Sequence, residues 1–443
     1  MFFSGTMRIS DEGHLLIGGC DLVKLASEYG TPLYVYDEEL IRKKCRLYKN
    51  AFAKEYPNAE VVYAGKAFLT TAMCRLVDEE GLALDVVSGG ELYTALEAGF
   101  PVSRIYFHGN NKTEEELDLA LEVGVGRIVA DSLMELEFLD EIARQKGKEV
   151  DLYLRVKPGI KAHTHHYIQT GQEDSKFGLG ISDGQVLAAV DFVCSRKRLN
   201  LKGLHCHIGS QILNPKPFRL AARVMMKLIA EIKSKKGILL NELNLGGGLG
   251  IRYTSADEPC DFDSFIRLLA ETVRQEAGEM NLPLPKLMIE PGRSIVGEAG
   301  VTLYRVGTIK DIPNIRRYVS VDGGMTDNLR PALYEAEYVA LVANKASAAA
   351  KEVVTIAGKN CESGDILIKD IKLPELEKGD ILAVLSTGAY HYSMANNYNR
   401  NPRPAVVFVR DGRADLVVKR ESWRDLVRLD CMPERFKKYQ NPV

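Results

Sequence analysis

Lys66 closes a short apolar run, VVYAGK, and seven more such runs follow before residue 294, each ending in polar, glycine or proline residues. They read ALDVVSGG, RIYFHG, RIVADS, DLYLRVKP, LKGLHCHIGS, NLGGGLG and KLMIEPGR. A lysine at the end of an apolar strand is costly unless it pairs, and partial desolvation is expected to lower its pKa toward a nucleophilic amine. It does not belong to a phosphate loop, because no glycine stands five residues before Gly65 and Ala67 replaces the required Ser or Thr. Gly246, Gly247 and Gly248 let backbone N–H groups converge on an anion. They fail the dinucleotide fingerprint, whose third glycine would fall at Ile251 or Tyr253. Glu290 opens the segment Glu290–Pro291–Gly292–Arg293, and a buried carboxylate there needs Arg293 or a protonated ring nitrogen. Asp85 lies near the end of the second run, His207 offers a ring for stacking, and Ser210 offers a hydroxyl for a phosphate. Singly, each has a plain packing explanation. The set does not.

Amphipathic stretches such as Thr113 to Val123 and Ser132 to Gln145 separate the runs. Strand then helix, eight times, predicts a (β/α)8 barrel over residues 37–292, with chemistry at the C-terminal strand ends and phosphate sites after strands seven and eight. Helix starts are expected at Asp37, at Thr113 with Glu116, at Ser132 with Glu135 and at Ser182 with Gln185. The longest gap, residues 158 to 200, should hold an active-site loop and then one helix. After Arg293 the texture turns β-rich, in LYRVGTI, RYVSVDGG, EVVTIAG, DILAVLS and AVVFVRDG. This predicts a second, β-sandwich or barrel-like domain over residues 293–443, joined by N-terminal strands from residues 1–36 (His14 to Gly18 and Pro32 to Tyr36). Ser422 to Leu429 should form a last short helix.

The chain has 443 residues, 46% of them apolar and 27% charged, enough for a barrel with an appended domain. A net charge of −2 gives no basic surface for nucleic acid. No apolar run approaches the ~18 residues that span a membrane. The first eleven residues lack the features of a signal peptide, and eight cysteines without close pairing suit a reducing cytoplasm. Five of the eight histidines cluster at His163, His165 and His166 and at His205 and His207, which invites a metal centre. A metal would leave Lys66 and the glycines unexplained, so none is expected.

A lysine, a phosphate cup and a carboxylate around one barrel mouth fit pyridoxal 5′-phosphate. Lysine would tether it, backbone amides and Ser210 would hold the phosphate, and Glu290 would keep the pyridine nitrogen protonated. In the β domain, Arg330 and Tyr334 offer a fork and a hydroxyl for a carboxylate, and Cys361 beside Glu362 offers a proton donor.

Together the fragments YAGKAF, LDVVSGGE, HCHIGSQI, GGGLGI, EPGRSIV, CESGD and GAYHYSMANNYN resemble the meso-diaminopimelate decarboxylase family, from about Pro32 to Pro404. YAGKA or the glycine triplet alone would indicate only the wider fold-type III group, which includes alanine racemase and the ornithine and arginine decarboxylases. HYIQTG…DSKFG and CESGD select the branch. The resemblance implies a cytoplasmic homodimer that converts meso-2,6-diaminopimelate to L-lysine and CO2. Lys66 would carry the coenzyme and His207 would stack on it. Asp85, Ser210, Gly246 to Gly248 and the segment Glu290 to Arg293 would line its site. Tyr390 would stand near phosphate and substrate. Arg293, Arg330 and Tyr334 would hold the substrate's far carboxylate and Glu362 its far ammonium. Cys361 would return a proton to Cα, with Cys361 and Glu362 supplied by the neighbouring subunit. Alanine racemase, a metal-dependent barrel hydrolase and a non-catalytic coenzyme carrier are the competing readings.

Overall fold

Eight parallel strands close on themselves: Ala59–Ala64, Ala83–Val86, Ile105–Phe107, Arg127–Ala130, Val150–Lys157, Leu199–Cys206, Glu242–Asn244 and Lys286–Ile289. Each pairs with the next, and the eighth pairs with the first. The computed structural model describes residues 3–160 and 174–439, so His163, His165, His166 and most of the expected active-site loop lie outside the described residues. Val62, Ala83, Tyr106, Val129, Tyr153 and Met288 fill the barrel as an apolar plug. Side chains alternate along a strand, so residues two positions further face the same interior. Those residues are Ala64, Asp85, His108, Asp131, Arg155 and Glu290, all buried and all but the first polar. Strand periodicity thus lays a polar layer directly above an apolar one, at the C-terminal mouth.

The helix caps follow local chemistry. Asp37 accepts from Leu40 N at 3.1 Å, and Thr113 with Glu116 forms a reciprocal capping box. Ser132 caps its helix at 3.2 Å, but Glu135 does not close the box. It turns instead to Asp131 N (3.1 Å) and to buried Lys112 (2.7 Å), which needs a counter-charge more than the helix end needs a second bond. The helix expected from Ser182 begins later, at Gln185, after Gly184 at φ +78°. Asp183 takes the Gln185 N–H at 3.1 Å and supplies the turn that Ser182 was expected to make.

The second domain is built on Gly300–Ile312, a long strand shared by two sheet segments. One end pairs with Leu33–Asp37 and with Ile381–Val384, and the other pairs with Arg316–Val321. Leu33–Asp37 also pairs in parallel with Ala405–Arg410. Its alternate faces enter different cores: Leu33 and Val35 join Leu15, Ile17 and Val301, whereas Tyr34 and Tyr36 face the barrel side. That explains an uninterrupted apolar run in a strand without a solvent face. The segment expected as a strand at His14 to Gly18 is Leu15–Ile17, but it pairs only with Arg8–Ile9 and Cys20–Asp21 in a separate small sheet. It meets the β domain through side chains, not through the hydrogen-bond ladder. The final helix is Trp423–Val427, capped by Ser422 and Asp425. Among the described residues no helix is long and apolar enough to cross a membrane.

Candidate active site

Lys66 occupies a single 3₁₀ turn, Gly65–Ala67, at the end of the first barrel strand. The β domain clamps this turn: Tyr390 N and Ser393 Oγ both donate to the Ala67 carbonyl, at 2.8 and 3.2 Å. Phe68 stacks on Tyr36 with ring centroids 4.1 Å apart. Lys66 Nζ lies 3.0 Å from Asp85 Oδ2, and 37% of its side chain is exposed, so the amine is reachable from the mouth. The expected fall in its pKa is corrected here. Burial opposes the charge, but Asp85 foremost, then Tyr390 and Glu290, outweigh it and hold the ammonium above its ordinary range.

Glu290 is the centre of the polar layer. His205 Nε2 lies 3.0 Å from Oε2, Asn244 Nδ2 donates to Oε1 at 2.7 Å, and His108 Nε2 lies 2.8 Å from Oε1. Burial disfavours the carboxylate, yet these neighbours, His108 first and then His205, hold its pKa well below the usual range. Burial pushes His205 down to about 4 despite Glu290, and it pushes His207 well below its usual value, with Lys66 adding to the shift. The layer therefore carries a fixed negative charge among neutral rings at His205 and His207. Arg293, one of the two partners expected for Glu290, turns elsewhere: it donates to Ser210 Oγ at 2.9 Å and to Tyr253 OH. Two histidines and Asn244 already surround the carboxylate, and the guanidinium is left for the mouth.

The three glycines have a packing reason. Gly246 sits at φ +67°, and a Cβ there would lie 2.4 Å from Cys206 O; at Gly247 it would lie 2.0 Å from Glu290 O. The expected anion cup is corrected here: the amides of Gly246 and Gly247 are spent on Asn244 Oδ1 (2.9 Å) and His207 Nδ1 (3.2 Å), orienting two side chains of the layer. Gly248, at φ +122°, completes the turn, and Pro291 and Gly292 carry the chain from Glu290 to Arg293.

Arg293 and Arg330 both lie against the Tyr390 ring, at 4.7 and 5.5 Å from its centroid, and Arg330 also lies 5.0 Å from the Tyr334 ring. The substrate-end residues expected on the barrel and the β domain are thus brought together around one phenol. Cys361 and Glu362 are not: they lie in an exposed turn, where Cys361 N donates to Asn399 Oδ1 at 2.7 Å. Several members of the site escaped sequence reasoning, namely His108, Arg155, Asn244, Tyr253 and Tyr338. Polar residues inside apolar strand runs, as in YFHG, YLRV and LNLG, were the available signal for the first three. His108, His205 and Glu290 also present ligand-type atoms within 4.8 Å of one another, a triangle of metal-binding type. Asn244 on the same carboxylate makes it equally part of a hydrogen-bond network.

A barrel mouth with a reachable lysine over a buried carboxylate is the setting of a known class. Residues 38–297 match the model described as pyridoxal-dependent decarboxylase, pyridoxal binding domain. The chain belongs to the pyridoxal-dependent decarboxylases. A Bacillus subtilis (strain 168) protein named diaminopimelate decarboxylase is 54% identical over 97% of this chain and 98% of its own length. The crystal structure of diaminopimelate decarboxylase from M. jannaschii in complex with L-lysine superposes with a TM-score of 0.91 at 37% identity, covering 98% of this chain and 100% of that one. The Helicobacter pylori diaminopimelate decarboxylase, also complexed with L-lysine, gives 0.84 at 32% identity over 93% and 99%. Within its class, the chain belongs to the diaminopimelate decarboxylase family.

Its coenzyme is pyridoxal 5′-phosphate, and the residues present fit that group. Asp85 Oδ1 and His205 Nδ1 are buried polar atoms without a hydrogen-bond partner among the described residues. Glu290 has three neighbours for about four lone-pair positions, which leaves room for one more donor. Ser210 accepts from Arg293, so its own O–H is free to point at an anion.

Proposed function

We propose that this site decarboxylates meso-2,6-diaminopimelate to L-lysine and CO2, the last step of lysine synthesis. The observation that carries the substrate reading is Arg330. Its guanidinium is buried, at 6% residue exposure, and its only hydrogen bond among the described residues runs from Nε to Tyr338 OH at 3.0 Å. The terminal fork is unspent, and a buried fork with free donors suits a carboxylate.

Pyridoxal phosphate supplies the electron sink for the bond that breaks as CO2 leaves. Lys66 tethers it, with Asp85 holding the amine. Glu290 would keep a proton on the ring nitrogen, His207 would pack against the ring face, and Ser210 with Gly246 to Gly248 would border the phosphate. Arg293, Arg330, Tyr334 and Tyr390 would hold the far carboxylate, fixing which Cα bond is presented for cleavage. Glu362 would bind the far ammonium and Cys361 would protonate Cα. Their exposed turn supports the view that they complete the site of a second copy in a homodimer. All eight cysteines are unpaired, which supports a reducing, cytoplasmic setting.

The direct test is to supply meso-diaminopimelate to the coenzyme-loaded protein and measure CO2 and L-lysine. Release of neither defeats the reading, and racemisation without CO2 favours a racemase. Arg330→Ala is expected to raise the diaminopimelate KM by ~10²-fold, since a charged hydrogen bond to a buried partner is worth about 1.5–3 kcal/mol. An unchanged KM removes Arg330 from the far-end role. Cys361→Ala should lower kcat by about 10²-fold while the coenzyme absorbance persists, because losing a general acid typically costs that much. Full turnover in that variant would assign the proton to another donor.

A further inference from the structure

Tyr390 is a non-glycine residue at φ +65°. Such backbone conformations cost roughly 1–3 kcal/mol and persist only where the surroundings enforce them. Besides the bond from Tyr390 N to the Ala67 carbonyl, the next side chain holds this turn. His391 Nδ1 lies 2.9 Å from the Ala389 carbonyl oxygen, so the ring bridges the turn across Tyr390. A carbonyl only accepts, so Nδ1 carries the hydrogen and Nε2 keeps a lone pair. Nε2 is buried and has no hydrogen-bond partner among the described residues. The imidazole also meets the Tyr338 ring edge-on, with centroids 5.2 Å apart. Tyr338 is the phenol that accepts from Arg330 Nε, and Tyr390 is the ring on which Arg330 lies. His391 therefore touches both groups that aim the free fork of Arg330.

We propose that His391 is a positioning residue for the far carboxylate: it locks the Ala389–His391 turn and backs Tyr338, and so sets the direction of Arg330. Burial, Arg330 and Arg293 all oppose its protonation, against the weaker pull of the Ala389 carbonyl, so it serves as a neutral imidazole. The inference rests on the diaminopimelate reading of the site.

The test compares His391→Phe, which keeps a ring but loses the donor, with His391→Asn, whose amide N–H can still reach the Ala389 carbonyl. For the first, KM for diaminopimelate should rise about tenfold with kcat within about twofold, the size expected from one misplaced hydrogen bond. Cadaverine, a diamine that offers Arg330 no carboxylate, should bind as in the unaltered holoenzyme when followed by coenzyme absorbance. Pimelate, a dicarboxylate without amines, should bind about tenfold more weakly by calorimetry, and His391→Asn should recover most of both losses. Unchanged pimelate affinity in His391→Phe overturns the inference, and so does an equal loss for cadaverine and pimelate. Should the phenylalanine variant not fold, His391→Leu carries the same expectations. Unaltered enzyme that releases no CO2 from diaminopimelate defeats the functional reading alone, because the pimelate titration still decides the role of His391.

Discussion

Replacing Lys66 by alanine is expected to reduce kcat by at least ~10³-fold, about 4 kcal/mol at 1.36 kcal/mol per decade. The turn that carries Lys66 is pinned by Tyr390 and Ser393 to the β domain, so the amine has a fixed place at the mouth. Borohydride reduction followed by mass mapping of the coenzyme should label residue 66 in the unaltered protein and nothing in the variant. Labelling at another lysine would relocate the whole site. Because Asp85 holds the amine charged, Asp85→Asn should bring its pKa down, and the label should then form at lower pH than in the unaltered protein.

The second large effect is expected at Glu290. Glu290→Gln removes the charge but keeps the shape, and loss of a pre-organised electrostatic contact typically costs ~10²–10³-fold in kcat. It also turns an amide N–H toward the donors of His108 and Asn244 or of His205, so stability should fall as well. Acid exposes the same network. A carboxylate held below its usual pKa stabilises the fold above the ordinary carboxylate range, and that contribution fades as pH falls toward its depressed folded value. His205 acts in the same direction. Between its ordinary value of 6.5 and about 4, the unfolded chain binds a proton that the folded chain refuses, so stability declines as pH drops through that window. The melting temperature should therefore be lower at pH 5 than at pH 7. A flat profile would mean that His205 accepts a proton in the folded protein.

How much of this was legible in the sequence depends on what kind of signal each feature leaves. All eight barrel strands are visible as apolar runs, because their central residues are buried on both faces. Lys66, Asp85, His207, Glu290 and Arg293 stand out because strand ends in this fold collect chemistry. The partners of Glu290 were less visible. His108 and Asn244 announce a polar layer only once the strand register is known, since it is their position two residues above Tyr106 or on a neighbouring strand that brings them together. Tyr253, Tyr338 and His391 could not be placed at all from local pattern, because a long-range docking of barrel loop against β domain puts them in contact. The pKa of Lys66 was misjudged for the same reason: burial can be read from a strand end, but the carboxylates that outvote it lie on other strands.

Leu33–Asp37 pairs with strands that begin at Gly300 and Ala405, although the barrel that follows it is complete by Ile289. On the ribosome, this strand emerges first and must wait for nearly the whole polypeptide before either edge is covered. Until then it is an unsatisfied ladder of backbone groups carrying Leu33, Tyr34, Val35 and Tyr36, the sort of segment that pairs with strangers. A chain cut short before Ala405 would keep its barrel sequence intact and still carry that open edge, so premature termination should yield aggregates instead of a smaller working enzyme.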